Sequence, residues 1–276
     1  MEKTYELMPN AKMLLSSLRS VGYTEETAIA DIVDNSISSG ANTIQLYFDW
    51  DDQTILIADN GKGMQKKELL DSMKIGSSDP GVTRSASDLG RFGMGMKTAS
   101  FSLGKQLLVI TKQKDEINNA EWNLEYVENE DKWEILIHSD EKIDTYIKSK
   151  TDKIEFQNWD EGTLISLSML DKLIDENNMQ KSKVKFYKTV EKVKKHLAMI
   201  FHRFIEEDNL QIYVNKNLLE AWNPFIRQNP ATMELACEEL FDGKTSVSIE
   251  PYILPHKTKF EDEEAFKKAG GAKDWL

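Results

Sequence analysis

The chain has 276 residues, 40% hydrophobic and 30% charged, and its 35 basic and 47 acidic side chains leave a formal net charge of −12. That length and composition allow one large domain, or one domain and part of another, and the charge argues against a broadly basic nucleic-acid-binding surface. The one cysteine, Cys237, excludes an internal disulfide and a cysteine-rich zinc site. No run reaches the ~20 apolar residues of a bilayer span. Residues 1–12 lack the apolar core of a secretion signal. The expected setting is cytoplasmic, with no membrane partner.

In chain order, residues 10–20 read as a helix entered near Pro9 and Asn10. Thr24 is placed to cap a second helix, with Glu25 and Glu26 at the positive end of its dipole. That helix runs to about Ser39, where Gly40 can end it. Two strands follow, at 43–48 and 54–58, around the polar turn 49–53. From Asp59 to Thr98 the chain is rich in Gly, Ser and Asp without strand periodicity, the mark of a functional loop or lid. Strands are expected at 106–111, 122–127, 133–137, 154–156 and 163–167, then a helix over about 183–206. Seven lysines lie in 181–195 against one acid, Glu191, which reads either as a solvated helix face or as a local basic patch. A second β-like region starts at Leu210. Short turns between the later strands make the sheet mostly antiparallel and the fold class α/β.

Three motifs can carry chemistry. In Asp31-Ile32-Val33-Asp34-Asn35, Asp31 and Asn35 lie one helical turn apart on one face, while Ala28, Ile29 and Ile32 can face a core. The Asn35 amide oxygen is a hard, neutral ligand suited to Mg²⁺ beside phosphates. A carboxylate at Asp31 can orient and deprotonate a water; by itself the pair is also the pattern of a solvated face. The second motif, Asp59 to Met64 (DNGKGM), directly follows a strand. Asp59 can accept a hydrogen bond from an exocyclic amine, and the glycines let backbone approach a flat ring; a plain Asn-Gly turn is the alternative. The third, GRFGMGMKT from Gly90 to Thr98, is G-x-x-G-x-G, which fits neither a Rossmann turn nor a Walker A loop, because Met96 precedes Lys97. It is a phosphate loop of another kind, opening a helix with Lys97 as a mobile charge, or else a flexible loop.

In this order and spacing the motifs resemble the GHKL superfamily: gyrase-class topoisomerases, the large heat-shock chaperone, histidine kinases and MutL. The likeness covers roughly residues 10–205. Residues 20–41, Ile75-Gly76-Ser77-Ser78 and GRFGMGMKTAS are most similar to the MORC and bacterial MORC-like branch. The resemblance implies an α/β (α+β) two-layer Bergerat-type sandwich over 1–207, with a mostly antiparallel mixed sheet and helices on one face. It places an ATP lid at about 72–98 and the beginning of a small α/β transducer-like domain, apparently truncated, at 208–276.

The same resemblance implies ATP and Mg²⁺ as ligands. Asn35 would hold the metal, and Asp59 the adenine amino group. Gly61 and Gly63 would shape the base pocket, with Met64 against the ring. Gly90, Gly93 and Gly95 would wrap the phosphates, with Arg91, Phe92, Met94 and Met96 in the same loop. Ser77 and Ser78 would add hydroxyl contacts, Lys97 would meet the terminal phosphate, and Thr163 would support Asp59. Asp31, with Lys97, would be catalytic, although most hydrolysing members have Glu at its position. The shorter side chain implies slow turnover. At the biological level the resemblance implies an ATP-gated homodimeric clamp acting with DNA in a defence, restriction or mobile-element system, with unknown protein partners. The alternatives are a chaperone-type ATPase with a protein client, or a nucleotide-sensing module without turnover.

Overall fold

The computed structural model describes residues 5, 9–20, 22–76, 95–207, 210–241, 243 and 245–270. In chain order these form α1 (Ala11–Leu18), α2 (Glu25–Ser38), β1 (Thr43–Asp49), β2 (Thr54–Asp59), α3 (Lys66–Met73), α4 (Gly95–Leu103), β3 (Gln106–Gln113), β4 (Glu116–Asn123), α5 (Leu124–Glu130), α6 (Asp140–Lys148) and β5 (Gly162–Ser168). Helices α7 (Met179–Ile200) and α8 (His202–Glu207) and strands β6 (Gln211–Val214) and β7 (Asn217–Leu218) follow. The chain then makes two small two-stranded sheets, β8 (Met233–Glu234) with β11 (Tyr252–Ile253) and β9 (Glu238–Phe241) with β10 (Ser246–Ile249), before α9 (Glu263–Lys268).

The main sheet has seven strands in the order β4-β3-β5-β2-β1-β6-β7. Every neighbouring pair is antiparallel except β1 and β6. This is the mostly antiparallel α+β sandwich expected. Residues 210–214, read from the sequence as opening a second unit, supply β6 at one side of this sheet. Helices α1, α2, α4 and α7 cover one face, where Ala28, Ile29, Ile32 and Val33 of α2 meet Ile44, Leu46, Ile55 and Ile57 of the sheet. The other face carries a smaller apolar layer. Leu56 and Ala58 point there and meet Ile143 and Ile147 of α6 with Phe156. Strand β2 is thus buried at every position, its alternate residues feeding two cores.

Helix α2 begins where the sequence places it. Thr24 and Thr27 cap each other, with Thr24 Oγ1 accepting from the Thr27 amide and Thr27 Oγ1 accepting from the Thr24 amide. Gly40, just past its end, takes φ +83°.

Several expected elements differ. The strand expected over 122–127 ends at Asn123, whose side chain accepts from the Tyr126 amide and starts α5. Residues 133–137 make one isolated bridge, Leu136 with Glu121, and 154–156 lead into a short 3₁₀ turn. The long helix breaks at Phe201 into α7 and α8. The short helices α3, α6 and α9 are not anticipated by the sequence pattern. Helix α3 lies inside the Gly/Ser/Asp-rich stretch, and charged α6 buries only Ile143 and Ile147.

Candidate functional site

Asp59 ends β2 in the middle of the sheet, with Ile44 of β1 on one side and Thr163 of β5 on the other. Its carboxylate is buried. Oδ2 accepts from Ser36 Oγ of α2 at 2.8 Å, and Oδ1 accepts from the Gly61 amide at 2.9 Å. Burial pushes this carboxyl above its ordinary range, and hydrogen bonds from Gly61, Ser36 and the Thr163 backbone pull it back. The next cross-strand residue in the same row is Thr111, paired with Thr163. Thr111 Oγ1 accepts from the Met64 amide at 2.8 Å and donates to the Gly162 carbonyl at 3.1 Å, which fixes the DNGKGM turn against the sheet.

The turn needs its glycines. Gly63 takes φ +61°, and a Cβ there would sit 1.9 Å from the Lys112 carbonyl oxygen. A Cβ on Gly61 would sit 1.9 Å from Ser39 Oγ. The close approach expected of these glycines is therefore made to the protein's own backbone and to α2, and this packing holds Met64, half-buried, beside the strand end.

One residue before Ser36 on the same helix, the exposed Asn35 spends its amide nitrogen on the Asp31 carbonyl at 2.7 Å. The atom it presents outward is then its amide oxygen, the ligand type Mg²⁺ favours. Among the described residues no group of three or more His, Cys, Asp or Glu side chains is placed to hold a metal. Mg²⁺ keeps waters and substrate phosphates as most of its ligands, so a single outward amide oxygen such as that of Asn35 fits the ion as a protein ligand. Asp31 Oδ2 accepts from the Tyr23 hydroxyl at 2.5 Å. Burial, and then the charge of Asp31, push the neighbouring Asp34 carboxyl up.

The glycine motif enters α4 at Gly95, where an added Cβ would lie 3.8 Å from Asp31 Oδ2. The end of that motif therefore reaches the Asp31 side of α2. Met96 packs on the main core. Lys97 is buried, and its Nζ donates to the Ser72 carbonyl of α3 at 2.5 Å. Burial lowers its ammonium to about 8. Ser77, Ser78, Gly90, Arg91, Phe92, Gly93 and Met94 lie outside the described residues.

Asp31, Asn35, Asp59, Gly61, Gly63, Met64, Gly95 and Thr163 thus converge around one end of β2 and the exposed side of α2. Residues 23–160 match the family described as histidine kinase-, DNA gyrase B-, and HSP90-like ATPase. The chain belongs to this family. It is a GHKL-type ATPase domain, similar to MORC proteins. "ATPase morc-1" of Caenorhabditis elegans is 33% identical over 121 residues, which cover 42% of this chain and 14% of that protein. "MORC family CW-type zinc finger protein 3" of Mus musculus is 28% identical over 37% of this chain and 11% of its own length. "ATPase MORC2" of Homo sapiens is 25% identical over 40% of this chain and 11% of its own length. The matched stretches are a small part of these relatives.

Sequence reasoning missed Tyr23, Ser36 and Thr111 in this ATPase site. Ser36 was legible in principle, because it follows Asn35 on the α2 stripe. Tyr23 and Thr111 carry no sequence signal beyond an aromatic residue before a cap and a threonine inside a strand.

Proposed function

We propose that the domain built on the seven-stranded sheet binds ATP with Mg²⁺ at this site and hydrolyses it slowly, and that a second, transducer-like domain starts after β7 rather than at residue 208, because β6 and β7 belong to the main sheet. The observation that supports the reading is the buried Asp59 carboxylate, held between α2 and the DNGKGM turn on the helix that also carries Asp31 and Asn35. Asp59 accepts the adenine amino group, supported by Thr163, and Gly61, Gly63 and Met64 form the base pocket. Asn35 holds Mg²⁺, which neutralises phosphate charge when bound. The lid at about 72–98, with Ser77, Ser78 and the glycine motif from Gly90 to Lys97, encloses the phosphates, and Lys97 exchanges its Ser72 carbonyl partner for the terminal phosphate. Asp31 is the general base. It directs one carboxylate oxygen at a water while Tyr23 holds the other.

Turnover is slow because Asp31 is one methylene shorter than the usual Glu, and a misplacement of ~1 Å costs ~10²-fold in rate. The domain acts as an ATP-gated clamp, in which nucleotide orders the lid and stabilises a homodimer by mass action. On the family resemblance of its motifs alone, the clamp serves a DNA-related role in the cytoplasm, such as defence or restriction; the site itself speaks for the ATPase and not for the partner.

Calorimetry with a non-hydrolysable ATP analogue tests binding, and steady-state phosphate release tests turnover. A chain giving neither binding heat nor a ligand-dependent melting shift would contradict the reading. Sedimentation at saturating analogue tests the clamp, and a persistent monomer would count against it.

A further inference from the structure

The Tyr23 hydroxyl donates to Asp31 Oδ2 at 2.5 Å, and the Thr98 side chain of α4 lies in hydrogen-bonding contact with the same phenolic oxygen. Tyr23 is half-buried, and its ring packs on the main core. It precedes the α2 cap, so it reaches Asp31 from outside the helix, eight residues earlier in sequence. Because the Tyr23 proton goes to Asp31, Thr98 is the donor in that contact; its other acceptor within reach is the Gly95 carbonyl at 3.2 Å, and Gly95 is the residue whose added Cβ would approach Asp31. Three segments therefore meet at one carboxylate: the irregular segment before α2, α2 itself, and the first turn of α4.

Asp31 is half-buried on α2 and can take more than one staggered χ1 rotamer, whereas a base must be held within a fraction of an ångström to work. Asp31 makes no hydrogen bond along α2 with its own side chain. It carries the like charge of Asp34 on the same face, which favours turning away. The Tyr23 hydroxyl supplies the missing constraint from a core-anchored ring. It bonds to Oδ2 and not to Oδ1.

We infer that Tyr23 is a positioning residue for the Asp31 base, fixing its carboxylate and tying it through Thr98 to the start of α4, so that the base is aimed only when that helix is seated. The inference rests on the reading of Asp31 as general base. Tyr23 itself touches no substrate.

The test uses the full chain and the substitutions Tyr23→Phe and Asp31→Ala, singly and together. For Tyr23→Phe, kcat for Mg·ATP is expected to fall by about 10- to 100-fold, while calorimetric affinity for a non-hydrolysable analogue stays within about threefold. In the nucleotide-free chain, Tyr23→Phe is expected to lower the urea midpoint in the parent by at least about twice as much as in the Asp31→Ala background, the signature of direct coupling. A kcat within about twofold of the parent would overturn the inference, as would equal midpoint losses in both backgrounds. A joint loss of kcat, affinity and midpoint would make Tyr23 merely structural and would overturn it too. A parent chain that binds the analogue without any turnover would refute the base assignment for Asp31, and with it the positioning role, whatever the urea cycle gives.

Discussion

Ser36 Oγ donates to Asp59 Oδ2 at 2.8 Å, and this bond sets helix α2 against the end of strand β2. Because Asp31 and Asn35 lie on the same helix, the bond also sets the distance from the Asn35 amide and the Asp31 carboxylate to the Asp59 carboxylate. Both Asp59 oxygens are used, one by α2 and one by the Gly61 amide, yet each retains acceptor capacity for a ligand amine. Packing and these two hydrogen bonds therefore hold Asp59 in a fixed relation to α2.

Gly63→Ala is expected to destabilise the chain by about 3 kcal/mol or more, because it combines a left-handed backbone with a clash against main chain. The native φ is +61°, and the added Cβ would stand 1.9 Å from the Lys112 carbonyl oxygen. Gly40→Ala is the control. Its φ is +83° but nothing lies within 4 Å, so only the backbone cost of ~1–2 kcal/mol applies. Urea denaturation of the two variants should separate them clearly.

Lys97 gives a pH-dependent prediction. Burial lowers its ammonium to about 8 in the folded chain, against an ordinary 10.5. Between those values the unfolded chain binds more protons than the folded one, so stability from this group rises with pH across that window. Below pH 8 both states are protonated and the cost of holding the buried charge is fully present, about 3 kcal/mol at most. Lys97→Met should therefore unfold at higher urea than the parent at pH 7, with the gap closing toward pH 10. The same variant should bind ATP more weakly.

Asp31→Ala should keep nucleotide affinity within about threefold and lower phosphate release by at least ~10²-fold. Single-turnover release, measured beside calorimetry, reads both quantities. Hydrolysis at the parental rate would remove Asp31 from the mechanism.

How much of this was legible in the sequence depends on how local the cause is. Helix α2 was readable because its cap, its first-turn acids and its Ala28/Ile29/Ile32 stripe all act within a few residues. Strand β2 was readable because Ile55 to Ala58 form an unbroken apolar run up to Asp59. Helix α3 was not, because its two buried residues, Leu69 and Met73, are surrounded by a composition typical of loops. Helix α6 was not, because seven of its nine residues are not buried and it closes a face whose need for a cover appears only once the sheet is assembled. In the site, Asp31, Asn35 and Asp59 declared themselves by residue type and position. Tyr23, Ser36 and Thr111 did not, since each matters through a partner at least eight residues away. The contact of Lys97 with Ser72 spans 25 residues and was equally out of reach.

The most direct measurement is a set of calorimetric titrations of the parent, Asn35→Ala and Asp59→Asn with non-hydrolysable ATP and GTP analogues, each with and without Mg²⁺. The parent should bind the adenine form at least about tenfold more tightly than the guanine form, because a buried acceptor meets an amine in one and a carbonyl in the other. Asn35→Ala should lose the gain that Mg²⁺ provides, and Asp59→Asn should lose the adenine preference while leaving the metal effect in place. A parent that binds both bases equally, or an Asn35→Ala variant with its Mg²⁺ dependence intact, would contradict the assignment of this site to Mg·ATP.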